Sequence, residues 1–211
     1  MTTIQDSKVM QEVSLNAYLA RDLFDGTSLM ACRDEGLSTI NGIALSVADG
    51  VMKVVATDRY RMLTGDIEVE DKDNILDQLL IPLRDVKIII SAIKSLPKRM
   101  VKDPILNLTR VGDVLTVELV SVTGSSTCTV LLGDKGEQPF PPYSHLLNRD
   151  RLPVSVVSFN PQYMADFSKV ATSNPKGSCL NVTFTGEGYP MEITIPHDKI
   201  TWKGLLMPMR G

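Results

Sequence analysis

Residues that commonly carry covalent or metal chemistry are scarce in this sequence, and each scarcity removes a class of function. The only two histidines, His145 and His197, sit in Pro/Tyr-rich and Pro/Asp-flanked stretches that read as turns. Neither has a Cys, His or acidic partner at ligand spacing, so a metal site or an acid–base pair is not expected. Three cysteines (Cys32, Cys128, Cys179) lie far apart and are odd in number. They read as reduced, buried thiols of a cytoplasmic protein, not as a disulfide framework. Gly124-Ser125-Ser126 lacks the lysine and helix of a phosphate-binding loop. Thr57-Asp58 is more simply a strand-end Asx turn than a catalytic pair. No apolar run approaches the roughly 20 residues of a membrane helix, and the opening MTTIQDSKVMQEV lacks the apolar centre of a signal peptide. The expectation is a protein that is not an enzyme, needs no cofactor and does not touch a membrane.

What is present is an ordinary globular composition, 43% hydrophobic and 22% charged, with one charge anomaly. Between Leu83 and Lys102 stand six basic residues (Arg84, Lys87, Lys94, Lys98, Arg99, Lys102) and one acid, Asp85. That local +5 sits in a chain of net charge −3, so the remainder carries −8. One basic element in an acidic protein suggests one surface for phosphates and others that repel them.

The apolar pattern repeats a strand–helix–three-strand order three times, each round being about 70 residues long. In the first, a strand over 8–13 leads to a helix over 15–24, with Ser14 as N-cap and Gly26 as stop. Strands follow at 41–48, 51–57 and 60–69, with Asp49-Gly50 a hairpin turn. The second round has a strand at 78–82, a helix over 84–96 ended by Pro97, and strands at 105–110, 114–120 and 126–132. In the third, a strand over 154–159 precedes Asn160-Pro161, an N-cap with proline at the first helical position, and a helix to about Ala171. Strands at 179–185, 190–195 and 200–207 close the chain, and Trp202 is expected to be half-buried on the penultimate strand. In the second helix Val86, Ile89, Ile90, Ile93 and Leu96 form a buried stripe, and Lys87, Lys94 and Lys98 share the opposite face. In the third, Tyr163, Met164, Phe167 and Val170 point inward, while Gln162, Asp166 and Lys169 point away.

Three short passages link this pattern to a family. Val54-Val55-Ala56-Thr57-Asp58-Arg59-Tyr60-Arg61-Met62 resembles the Ala-Thr-Asp-Gly-His-Arg-Leu segment of bacterial beta sliding clamps. Pro139-Phe140-Pro141-Pro142-Tyr143, followed by Leu146-Leu147, resembles the Phe-Pro-Asp-Tyr stretch that closes a clamp domain. Phe159-Asn160-Pro161-Gln162-Tyr163 looks like the start of the last clamp helix, and Leu205-Leu206-Met207-Pro208-Met209-Arg210 is very similar to the clamp terminus Val-Met-Pro-Met-Arg. The implied fold is α+β of the DNA-clamp type, three units with helices on one face and antiparallel sheets on the other. Residues 1–149 would form one complete clamp domain (units 1–72 and 73–149), and 150–211 half of another. The first clamp domain and the half-domain between have no counterpart, which suggests a minimal, virus-encoded version.

By this resemblance the protein is a processivity factor that encircles double-stranded DNA without reading its sequence. The DNA-facing residues would be Arg84, Lys87, Lys94, Lys98, Arg99 and Lys102, with Lys169, Lys176 and Arg21 added. A polymerase and a clamp loader would dock short linear motifs in a groove. Ile40, Thr57, Arg59, Tyr60, Arg61, Met62 and Leu147 would line one side, and Leu205, Met207, Pro208, Met209 and Arg210 the other. Methionines repack around different apolar anchors, and an arginine can meet an acidic or backbone acceptor; the plainer alternative is that Met207 and Met209 fill core. Arg59 and Tyr60 stand where the family has glycine and histidine, and Gly211 replaces a terminal leucine. Clamp rings of the family present twelve units, so three per chain favours a tetramer over a dimer or trimer. The third unit, alone, would leave a sheet edge and an apolar helix face for a second copy to cover. The rival reading is a non-encircling, clamp-like adaptor or inhibitor that binds the same peptides.

Overall fold

The computed structural model describes residues 10–69, 75–96, 103–122, 124–132, 140–147, 156–171 and 179–209. Strand β1 (Met10–Asn16) runs directly into helix α1 (Ala17–Ser28). Asn16 is the cap: its side-chain oxygen accepts the amides of Tyr18 and Leu19, two donors that a helix start leaves without a partner. Ser14, the expected cap, instead lies in the strand opposite Asn107. Gly26 does not stop the helix either. A Cβ there would come within 2.8 Å of the Trp202 ring, so this glycine allows close packing. Strands β2 (Gly42–Ala48), β3 (Val51–Thr57) and β4 (Arg61–Glu68) follow. Asp49 and Gly50 have φ of 52° and 73°, the two left-handed residues that a tight hairpin between β2 and β3 requires.

The second round comprises β5 (Leu76–Pro82), α2 (Leu83–Lys94), β6 (Ile105–Val111), β7 (Val114–Ser121) and β8 (Gly124–Leu131). Val86, Ile89, Ile90 and Ile93 are buried, as the helical period requires, and Leu96 packs against the same core. The third round begins with α3 (Pro161–Ala171), whose start is fixed by the Asn160 side chain accepting the Gln162 amide. It ends with β9 (Asn181–Thr183), β10 (Met191–Ile195) and β11 (Thr201–Leu206). The strand expected at 154–159 is not formed over 156–159, and its first two residues lie outside the described ones. No ladder holds that stretch; Ser158 C=O accepts the Met209 amide at 2.8 Å.

All pairing is antiparallel, in a four-stranded sheet ordered β1-β6-β7-β8 and a seven-stranded sheet ordered β5-β2-β3-β4-β11-β10-β9. Buried Arg110 links the two, donating to the carbonyls of Asp77 and Gly112. The third unit does not stand alone. Its β11 pairs with β4 of the first unit, Leu205 opposite Met62 and Trp202 opposite Gly65. On the helix side of this seam a Cβ at Gly204 would lie 2.5 Å from the Phe167 ring, and one at Gly65 would lie 2.7 Å from the Trp202 ring. Two aromatic rings thus rest directly on sheet backbone.

Trp202 is 2% exposed rather than half-buried, and its indole N–H has no partner among the described residues. An unmade hydrogen bond costs about 1–3 kcal/mol, which the fully buried ring must offset. Because Phe167, Val170 and Ala171 of α3 are buried in the main core, the apolar face of that helix is covered within the chain. The expectation that it needs a second copy is corrected accordingly. Of the four outer strands, β1 and β5 meet through Gln11 and Asp77, which leaves β8 and β9 at the far ends of the two sheets. Of the cysteines, Cys32 is buried but Cys179 is exposed, contrary to the expectation of buried thiols.

Candidate functional site: an apolar groove opposite the helices

Alternation along a strand sends successive side chains to opposite faces of the sheet. On the face away from the helices, Ala44, Val55, Met62 and Leu205 form a second, smaller core with Cys32, Ile40 and Phe140. The segment Phe140–Leu147 lies against this patch, with Tyr143 and Phe140 edge to face at 6.0 Å. It covers the patch only in part. A groove of about 370 Å³ remains between it and the β4–β11 seam.

One wall of the groove is the β3–β4 connection. Asp58 makes the expected Asx turn, its carboxylate accepting the amides of Tyr60 and Arg61 at 3.1 Å. Thr57 Oγ1 donates to the Arg61 carbonyl and accepts the Arg59 amide. Arg59 is held at φ 78°, a left-handed backbone that costs a non-glycine residue about 1–2 kcal/mol. Beyond the turn, the Met207 amide donates to the Tyr60 carbonyl at 2.9 Å, tying the end of β11 to the same wall.

Of the residues proposed from sequence, Ile40, Thr57, Arg59, Tyr60, Arg61, Met62, Leu205 and Met207 line this groove. Met207 is 39% exposed and Met209 55%, so neither fills core. Leu147 packs behind the groove with the second core, and Pro208 and Met209 lie beyond its lining. Arg210 lies outside the described residues. The other lining residues are Leu37, Thr39, Phe140, Pro141, Pro142, Tyr143, Leu146 and Pro190.

Arg61 lines the groove with its charge already paired. It is 8% exposed, and its guanidinium is bound by Asp58 at 2.9 Å and by Asp166 of α3. It also lies 4.6 Å from the centroid of the Tyr163 ring, which in turn stacks on Tyr60. Burial lowers the affinity of Arg61 for its proton, but the hydrogen bonds it donates to Asp166 and Asp58 outweigh this and the net shift is upward. Asp166 mirrors it: burial pushes its carboxyl up, while Lys169 and Arg61 together hold it below the usual carboxylate range. Asp166 therefore does not point away to solvent. It bolts α3 to the groove wall, and Arg61 is a structural cation with its acceptors already in place.

Below the groove, burial raises the Asp66 carboxyl despite Lys53 at 3.5 Å, and one of its oxygens has no hydrogen-bond partner among the described residues. Burial, reinforced by the Asp66 charge, likewise raises the Tyr143 phenol.

Of the proposed DNA-facing residues, Arg21, Arg84, Lys87, Lys94 and Lys169 lie on the helices. Lys87 is exposed and has no ion-pair partner among the described residues. Arg84 is 80% exposed and reaches Asp85 at 3.4 Å. Lys94 pairs with Asp25 of α1, Arg21 with Asp22, and Lys169 with Asp166. Exposed pairs of this kind are weak, so Lys94 is available to a phosphate at small cost. Lys98, Arg99, Lys102 and Lys176 lie outside the described residues.

No family model matches the chain. Over 77 residues it is 32% identical to the beta sliding clamp of Chlamydia trachomatis, a match covering 36% of this chain and 18% of that protein. A similar stretch is 30% identical to the Chlamydia muridarum beta sliding clamp. The matched segment thus spans about a fifth of these relatives' length. Solved structures match far more broadly. The beta subunit of DNA polymerase III from Thermotoga maritima superposes on all of this chain and 70% of its own, at TM-score 0.75 and 13% identity. The DNA polymerase III beta subunit from Pseudomonas aeruginosa covers all of the chain and 69% of itself, at TM-score 0.76 and 16% identity. The chain thus has the fold of these beta subunits along its whole length, and a sequence likeness to beta sliding clamps over about a third of it.

Proposed function

We propose that this protein is a sliding clamp: a processivity factor that surrounds duplex DNA and tethers replication proteins through the groove between β4, β11 and Phe140–Leu147. The observation that carries the reading is the separation of two surfaces on one clamp fold. Exposed Arg84, Lys87 and Lys94 lie on the helices, and the apolar groove opens on the opposite face of the seven-stranded sheet. Lysines on a helix face attract phosphate without reading bases, which permits sliding. An apolar groove with a few fixed polar groups suits a short linear motif of a polymerase or loader. The protein itself makes and breaks no bond.

Ring closure would join copies through β8 and β9, the outer strands at the two ends of the chain's sheets. Exposed Val122 and Leu131 flank the first edge, and Val182, Phe184 and Tyr189 the second. Three repeats per chain favour four copies in the ring. The adaptor or inhibitor reading keeps the groove but needs neither the helix lysines nor the edges.

Primer extension by the cognate polymerase separates the two. Reversing Lys87 and Lys94 to glutamate abolishes stimulation if the protein encircles DNA, while peptide binding persists. Stimulation unchanged by charge reversal would refute the ring and leave the adaptor.

A further inference from the structure

The groove has an uneven charge. Among its sixteen described lining residues only Arg59 and Arg61 are charged, and both are cations. Arg61 is neutralised within the chain by Asp58 and Asp166. Arg59 is exposed and has no ion-pair partner among the described residues. It is held at the rim in a left-handed backbone conformation by the Thr57 hydroxyl, next to Tyr60, which is 57% exposed. Glycine would occupy that φ without strain. An arginine kept there, beside an apolar lining with no acid among its described residues, is a cation waiting for an anion from outside.

Resting on the reading of the groove as a peptide site, we infer that Arg59 selects its occupant: a linear segment whose apolar side chains enter the groove and whose adjacent carboxylate meets the Arg59 guanidinium. A planar, five-donor guanidinium suits a carboxylate, and the apolar floor beside it limits solvent access to the pair. Phosphate on a serine or threonine of the segment would satisfy the same donors. The lack of any second free cation among the described lining residues favours the single charge of a carboxylate.

The test uses capped nonapeptides of glycine and serine carrying two leucines and a phenylalanine, with one aspartate stepped through the remaining positions. Each has an asparagine twin and a phosphoserine twin. Binding is followed by amide chemical shifts of the labelled full-length protein. The expected result is a position at which aspartate binds roughly fivefold tighter than asparagine, the scale of one exposed charge pair. That preference disappears in Arg59→Gly, reverses in Arg59→Glu, and fades at about 0.5 M salt. The asparagine twin, measured on each variant, gives the reference against which that variant's aspartate preference is read. Equal binding of the twins to wild type, or a preference that survives Arg59→Gly, overturns the role of Arg59 and leaves the groove reading intact. A clear preference for phosphoserine over aspartate overturns the carboxylate assignment. If no peptide shifts the groove amides, and Met62→Asp changes nothing, the groove reading falls and this inference with it.

Discussion

Strands β4 and β11 present two surfaces on alternate residues, and the contrast between them organises the molecule. On the helix side, Leu63, Gly65, Trp202, Gly204 and Leu206 are sealed under α1 and α3, with glycines cut back to admit two aromatic rings. On the other side, Met62 and Leu205 are almost as buried, yet exposed Tyr60 and Met207 stand beside them around an open groove. Burial of the shared strands is thus nearly equal on the two sides, and the covering differs. A surface finished by the chain's own helices is a permanent joint. A surface finished by a short proline-rich segment leaves room for something else.

The largest effect is expected on the sealed side. Trp202→Ala removes a ring packed on Gly26 and Gly65 and should cost about 3–5 kcal/mol in urea unfolding. Asp166→Asn comes next, at about 1–3 kcal/mol, because it withdraws one of two carboxylates from buried Arg61. Its contribution depends on pH. The folded-state value of Asp166 lies below the unfolded one, so its stabilisation is complete above the ordinary carboxylate range near 4 and is lost as pH falls through the folded value.

Asp66, on the groove side, has the opposite sign. Burial raises its folded value, so ionisation there opposes folding, and acidification through that value removes the opposition. Asp66→Asn should therefore add up to about 1 kcal/mol at pH 7 and nothing below about pH 4. Parallel pH profiles for the two asparagine variants would erase this distinction.

Smaller still are changes at the open surface. Met207→Ser should alter stability by no more than about 0.5 kcal/mol yet abolish peptide binding, measured by titration. Arg59→Gly should stay within about 1 kcal/mol of wild type. Relief of the left-handed backbone is offset by the freedom glycine gains when unfolded.

Much of this was legible in the sequence because its signals are local. Asp49-Gly50 fixes a hairpin, Asn160-Pro161 starts α3, and an isoleucine-rich period defines the inner face of α2. The groove residues from Thr57 to Met62 belong to one turn, whose resemblance to clamps needs no tertiary information. What was missed depends on distant partners. Asp166 reads as a solvated helix residue until Arg61, 105 positions away, is brought beside it. Gly26 reads as a stop signal until Trp202 arrives to occupy the missing Cβ. The wall from Phe140 to Leu146 reads as a motif, but no periodicity says that it lies over the outer face of the sheet. The third unit reads as needing a partner because pairing of β11 with β4 cannot be read from either strand alone.

The clamp account stands most directly on assembly. Size-exclusion chromatography with light scattering, run across protein concentration and salt, measures it in one experiment. The account expects a closed assembly of several 23.2 kDa chains, with four favoured, that persists on dilution. A species that remains at 23.2 kDa at the highest concentration would contradict encirclement and leave a peptide-binding adaptor.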